Sequence, residues 1–446
     1  MSESTRSVLL LLPLALAACD RAPTETTEAN PTATQGEETE DAGGTDDVSL
    51  AVTGAPEIAA AARRRLRARG PEGLAALLDA HTETLTALAE GTAPPNVEAL
   101  RDALDTVAAQ RDAHASGLYW HTDLDAAKRE AARLGRPILS LRLLGRLDEE
   151  LSCANSRYFR TVLYPDARVG ELLRDRFVLH WSSERPAPRV TIDMGDGRQM
   201  VRTLTGNSVH YVLDAEGRVL DAIPGLYAPL PFRGVLEAAL GTAERCAADA
   251  DADACVRRAH ADALTSRRAA WDANATTLGA PSFDALLATT EPPTVDFPSA
   301  LDAMPLTIGK AAIEVPMLDV LARRPTPRPR DDVDWDRVAE LGARFATMQT
   351  SEATVALVAL KTGTSLEEAR PLARRLVGTA FVDGTRNENV LHPRVHLWLA
   401  DEAAERGFEA FNARLYRELF LTPADDPWLG LRDPNVWDAI EDVEAP

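Results

Sequence analysis

Ser152-Cys153-Ala154-Asn155-Ser156-Arg157 is the stretch of this chain best suited to covalent chemistry. Before it, Arg136-Pro137-Ile138-Leu139-Ser140-Leu141-Arg142-Leu143-Leu144 reads as a buried strand led in by a proline. After it, residues 157–164 read as a helix. A cysteine on that loop stands at a helix N-terminus, which favours the thiolate, the nucleophilic form. Arg157 and Arg160 act in the same direction. Asp148, Glu149 and Glu150 act against it, with contributions of similar size, about 0.3–1 kcal/mol each. Two readings therefore stand side by side: a reactive thiol, and an inert cysteine packed as a small hydrophobe. One helical turn on, the chain has Ser156 rather than a second thiol. A reactive Cys153 could attack a disulfide, hold a mixed disulfide or be oxidised to a sulfenic acid. It could not complete a dithiol oxidation alone.

Other chemistry-bearing clusters are weaker. His392-Pro393-Arg394-Val395-His396 spaces two histidines at i and i+4, which on a helix face can share a metal. Pro393 suits the first helical turn, which places His392 just outside the helix. No third ligand is evident, so no metal is assigned and ordinary packing is expected. Asp383-Gly384-Thr385-Arg386-Asn387-Glu388-Asn389 is rich in oxygen but lacks the register of an EF-hand loop. It reads as a turn held by its own side chains. No nucleotide loop, Gly-x-Ser-x-Gly elbow or haem-attachment motif is present, and no cofactor is expected.

The elements around Cys153 follow from periodicity. Residues 122–134 form an amphipathic helix capped by Asp123 or Thr122, and residues 137–144 the strand. Residues 166–176 give a second helix and residues 177–181 a short strand. Two hairpins follow, 189–204 around Asp193-Met194-Gly195-Asp196-Gly197 and 209–223 around Asp214-Ala215-Glu216-Gly217. A helix over 232–240 closes the unit. Upstream, residues 57–115 read as two or three short helices broken at Gly70-Pro71 and Pro94-Pro95. Downstream, residues 241–280 are helical and 281–298 loop-like. Helices follow over 335–348, 352–361, 365–376, 394–406 and 408–420, before a turn-rich aromatic end at residues 421–431.

Residues 126–240 resemble the thioredoxin-like domains of exported and envelope proteins. The likeness rests on Ala131-Ala132-Arg133-Leu134-Gly135-Arg136-Pro137-Ile138-Leu139, the cysteine loop, the pattern of residues 169–178, and the hairpin Val212-Leu213-Asp214-Ala215-Glu216-Gly217-Arg218-Val219-Leu220. It covers about a quarter of the chain. It implies a mixed sheet with flanking helices, Cys153 as nucleophile and Arg157 as its stabilising cation. Two departures stand out. Ser156 occupies the place of the resolving cysteine. Thr205-Gly206-Asn207-Ser208-Val209-His210 lies where a cis-proline loop belongs, with Ser208 in the proline's place. A non-proline cis bond costs about 2.5–4 kcal/mol, so a trans bond and an altered loop are expected. Asn207, Ser208 and His210 then line the site.

Leu16-Ala17-Ala18-Cys19, after an apolar run too short to be a permanent span, resembles the lipobox of bacterial lipoproteins. The resemblance implies acylation of Cys19, an anchor in the lipid bilayer and a place in the cell envelope. Of the remaining cysteines, Cys246 and Cys255 flank an Ala/Asp stretch between two helical patterns, well placed for a disulfide worth about 2–3 kcal/mol; the alternative is two free thiols. Over 446 residues the formal charge is −21, which argues against a nucleic-acid partner. The expected organisation is a signal peptide (1–18), a disordered acidic tether (19–48) and a helical region (49–117). A thioredoxin-like domain (118–241), a helical extension with linker (242–298) and a mostly helical C-terminal region (299–446) follow. Two functions are expected as alternatives: single-thiol exchange or redox sensing with an envelope protein that carries a disulfide or with an external thiol, and a redox-inactive scaffold that binds a partner.

Overall fold

The computed structural model describes residues 44–203, 206–289, 333–341, 349–401 and 407–426. Five helices come first: α1 (Gly44–Thr53), α2 (Pro56–Ala68), α3 (Pro71–Ala80), α4 (Thr82–Ala89) and α5 (Val97–Ala108). Their buried Ala51, Ala62, Leu66, Leu77, Leu104 and Val107 make a small core of their own. Residues 44–48, expected as the end of a disordered tether, are instead helical. Asp47 pairs with Arg65 through both oxygens, and Ala51 has no exposed surface. Those contacts offset the ordering cost that composition alone predicted would win.

The central unit runs α6 (Leu124–Leu134), β1 (Ile138–Leu144), α7 (Ala154–Tyr158), α8 (Ala167–Arg176), β2 (Val178–Arg185), β3 (Arg189–Asp193), β4 (Gln199–Thr203), β5 (Ser208–Leu213), β6 (Val219–Pro224) and α9 (Pro229–Ala247). Asp123 caps α6 by accepting from the Ala126 amide, and Gly135 ends it at φ 63°. Four strands form one sheet in the order β2-β1-β5-β6. β1 and β2 are parallel; β1–β5 and β5–β6 are antiparallel. The first expected hairpin forms, but as a separate two-stranded ribbon, β3–β4, with Ile192, Met194 and Met200 exposed.

Every residue of β1, β5 and β6 is buried. The helices beyond the sheet are α10 (Ala252–Leu278), α11 (Phe283–Thr289), α12 (Trp335–Leu341), α13 (Glu352–Thr362), α14 (Leu366–Asn389), α15 (Leu391–Ala400) and α16 (Phe408–Arg414). α11 lies within the segment expected to be loop-like, where Phe283 and Leu286 are buried. One apolar core joins Leu139, Tyr211 and Ile223 of the sheet to Phe381, Val395, Phe411 and Leu419. Tyr211 packs edge-on to Phe408 and Phe411, at 5.0 and 6.3 Å between ring centres.

The expected turn at residues 383–389 is instead the last two turns of α14. Asp383, Arg386 and Asn387 are buried there, and Asn387 Nδ2 donates to the Leu226 carbonyl at 2.9 Å. Tertiary contact has overridden the turn preference of Asp, Gly and Asn. The aromatic end expected over 421–431 lies outside the described residues beyond 426. Among the described residues no helix is long and apolar enough to cross a membrane.

Cys246 and Cys255 form a disulfide, with Cα atoms 5.4 Å apart, across the short connection of α9 to α10. Replacing both by serine should lower unfolding free energy by about 2–3 kcal/mol. Urea denaturation of the double variant against the parent checks this, and an unchanged midpoint would show that the link does not restrain the unfolded chain.

Candidate functional site

Gly145 lets the chain leave β1 toward the cysteine. Its φ is +77°, and a Cβ there would meet Ser152 Cα at 3.2 Å and Ala187 Cβ at 3.3 Å. The Cys153 amide then donates to the Leu144 carbonyl at 3.2 Å. Cys153 is the residue before α7, and its side chain caps nothing. The five residues of α7 continue into a π-turn, Phe159–Leu163. Strand, cysteine and helix therefore stand as expected.

The surroundings are closed. Cys153 has 0% exposed surface and belongs to the apolar core. Ser156 directs its hydroxyl to the Ser152 hydroxyl and to the Cys153 carbonyl, at 2.5 and 3.0 Å. Arg157 donates to the Thr203 hydroxyl at 3.0 Å; burial lowers its pKa, and the neighbouring Cys153 acts the other way. Opposite stands Ser208, whose hydroxyl accepts from Asn155 Nδ2 at 2.9 Å. No cis peptide occurs among the described residues, in line with the expected trans bond before Ser208.

Asn207 turns toward the C-terminal segment. Its Nδ2 donates to the Thr422 hydroxyl at 2.7 Å, and its carbonyl accepts from the Tyr416 hydroxyl at 3.3 Å. Arg185 adds donation to the carbonyls of Thr422, Pro423 and Asp426. A π-turn, Leu415–Leu419, and the residues after it thus lie over the end of β5. His210, expected to line the site, is wholly enclosed. Its Nε2 pairs with the Tyr164 hydroxyl at 2.8 Å, and Phe159 and Phe232 flank the ring at 4.7 and 4.9 Å. Burial lowers its pKa to about 3. The structure therefore brings Cys153, Ser156, Arg157, Asn207, Ser208 and His210 into one region, as a packed interior rather than an open cleft.

Behind that region lies a buried charge cluster that sequence reasoning missed. Asp112 pairs with Lys361 at 2.8 Å and Arg160 at 3.3 Å; Lys361 also reaches Glu150 at 3.2 Å. Burial would raise the Asp112 pKa, but Lys361 and Arg160 outweigh it and hold it at about 2. The cluster joins the N-terminal helices, the cysteine segment and α13. Only α13's single lysine hinted at it.

A second cluster forms where the histidine pair was expected to be structural. His392 lies inside the first turn of α15, not outside the helix as expected; the cap is Val390. A third group does stand beside the pair. Asp221 on β6 accepts from His392 Nε2 at 2.9 Å, and ligand atoms of Asp221, His392 and His396 all lie within 4.8 Å of one another. His260 on α10 faces His396, Nδ1 to Nδ1, at 2.7 Å, and its Nε2 donates to the Leu220 carbonyl at 2.9 Å. Asp221 and His260 lie 171 and 136 residues from their histidine partners, so spacing alone carried no signal. No family model, curated protein or solved structure matches the chain.

The buried histidines set the acid response. His180, paired with the Ser140 hydroxyl at 2.7 Å, is lowered by burial and by Arg142 to about 3, and His210 is lowered similarly. Their unfolded forms take up a proton first as pH falls below about 6.5, so stability is present above that pH and lost beneath it. Each contributes about 1.4 kcal/mol per pH unit. His114, lowered by burial to about 4, adds in the same sense, while Asp105, raised by burial to about 6, titrates in the opposite sense and offsets about one of the three. Urea midpoints from pH 7 to 5 should fall, and His180→Gln should flatten the slope; a flat parent profile would contradict neutral burial of these rings.

Proposed function

We propose that this chain is a lipid-anchored envelope protein whose central unit is a thioredoxin-like fold that has lost redox chemistry and serves as a scaffold for a protein partner. The observation that carries the redox part is the complete burial of Cys153 within the apolar core. A thiol must meet its disulfide in line and in contact. None can reach a thiol with no exposed surface.

The strand order supports the thioredoxin-like part. A parallel β1–β2 pair, an antiparallel β5–β6 hairpin beside β1, the cysteine loop directly after β1 and a closing helix follow the order implied by the sequence resemblance. Ser156 and Ser208 hold hydrogen bonds that a resolving thiol or a proline would not make. Anchoring rests on the Leu16-Ala17-Ala18-Cys19 motif. The competing reading, single-thiol exchange, draws on the proximity of Arg157 to Cys153 and requires the packing around Cys153 to open.

Iodoacetamide labelling of the folded protein decides between them. Cys153 should stay unmodified until denaturant is added, and Ser156→Cys should confer no insulin reduction. Labelling of native protein at the rate of a free thiol would sink the scaffold reading. For the anchor, Cys19→Ala should abolish metabolic incorporation of labelled palmitate and release the protein from the membrane fraction. Retention of both would remove the lipoprotein assignment.

A further inference from the structure

We propose that Asp221, His392 and His396 form a binding site for a divalent transition metal of the zinc class, with His260 as the residue that orients His396. The three side chains come from two elements that meet only in the fold. Asp221 lies on β6, buried at the sheet edge, and the two histidines share one face of α15 one turn apart. Two imidazoles and one carboxylate are a donor set that zinc accepts, with bonds of about 2.0–2.2 Å and a fourth position left for water. Such a tetrahedron sets its ligand atoms about 3.3 Å apart. The present spacing, 2.9 Å for the His392–Asp221 pair and no more than 4.8 Å for any pair, needs side-chain rotation and displacement of the ring proton that His392 Nε2 now donates to Asp221.

The surroundings supply what ligands of this kind need. A metal-bound histidine commonly donates its other ring nitrogen to a fixed acceptor, which sets its tautomer. The Leu220 carbonyl can only accept, so His260 carries its proton on Nε2. A singly protonated His260 then accepts at Nδ1 from the Nδ1–H of His396. That leaves the lone pair of His396 on Nε2. Burial keeps His396 in its neutral form, and the adjacent guanidinium, Arg267, is engaged by Glu388 at 3.2 Å. The Asp221 carboxylate supplies the negative charge that offsets part of the ion's own. His396 retains partial exposure, which gives an ion a way in. The site would tie the sheet edge to α15 and, through His260, to α10. It stands independently of the thioredoxin-like reading, since its argument uses none of the residues of the cysteine region.

The test uses the untagged full chain in detergent, stripped with EDTA and dialysed. Titration with Zn2+ alone should show one saturable equivalent by calorimetry and a raised melting temperature. Co2+ should give the visible ligand-field bands of a tetrahedral nitrogen/oxygen site, with no thiolate charge-transfer band. His396→Asn and Asp221→Asn should each weaken binding at least tenfold, and His260→Ala about 10–100-fold. If Asp221→Asn fails to fold, His396→Asn, at a partly exposed position, decides. Absence of saturable binding in the parent overturns the proposal. So does undiminished affinity in folded His396→Asn, or a cobalt–thiolate band that places the ion on a cysteine.

Discussion

The central sheet has no free face, and most of the molecule's organisation follows from that. β1, β5 and β6 are buried along their whole length, and strands of that kind need cover on both sides. Successive residues of β5 show the two sides at work. His210 faces Phe159 and Phe232, from the π-turn after α7 and from α9. Tyr211 faces Phe408 and Phe411 of α16 and donates to Asn412 at 3.0 Å. The second cover comes from the far end of the chain, and the residues that follow it close over Asn207. Closure over Asn207 is thus a by-product of completing the core.

Burial on both faces also explains why so many polar groups lie inside. Arg142 is on β1, yet it is held by Glu409 at 2.6 Å and rests over the Phe408 ring. Arg160 crosses to Asp112, the Glu150 carbonyl and the Ser152 hydroxyl. Each cation has a partner supplied by a different segment, as buried charge requires. Taking away one member leaves the others without compensation, so these links fix how the segments meet more than they add to stability.

The sequence disclosed local features well. The proline-led strand at 138–144, the Asp123 cap, the hairpins and the Cys246–Cys255 pair all arise from contacts within a few residues, and such contacts leave periodic or compositional marks. The cysteine loop was legible for the same reason, as was the order of the strands and helices around it. What stayed hidden was set at long range. Nothing near Asp383 or Asn387 announces a helix, since its stability comes from packing against residues 225–227. Nothing near His392 announces Asp221. The burial of Cys153 was equally unreadable, because the core it joins takes in Phe411, Leu415 and Tyr416 from the far end of the chain.

Arg142 meets Glu409 across 267 positions, and Arg185 meets the carbonyl of Asp426 across 241. Closing loops of that size is slow, because chain entropy is lost before any contact rewards it. A chain made from its amino end therefore holds one side of its sheet uncovered until nearly all of it has emerged. In that interval Tyr211 and its neighbours present a sticky strip to any other nascent chain. The interval before the last helices arrive is therefore when this chain is most open to wrong association.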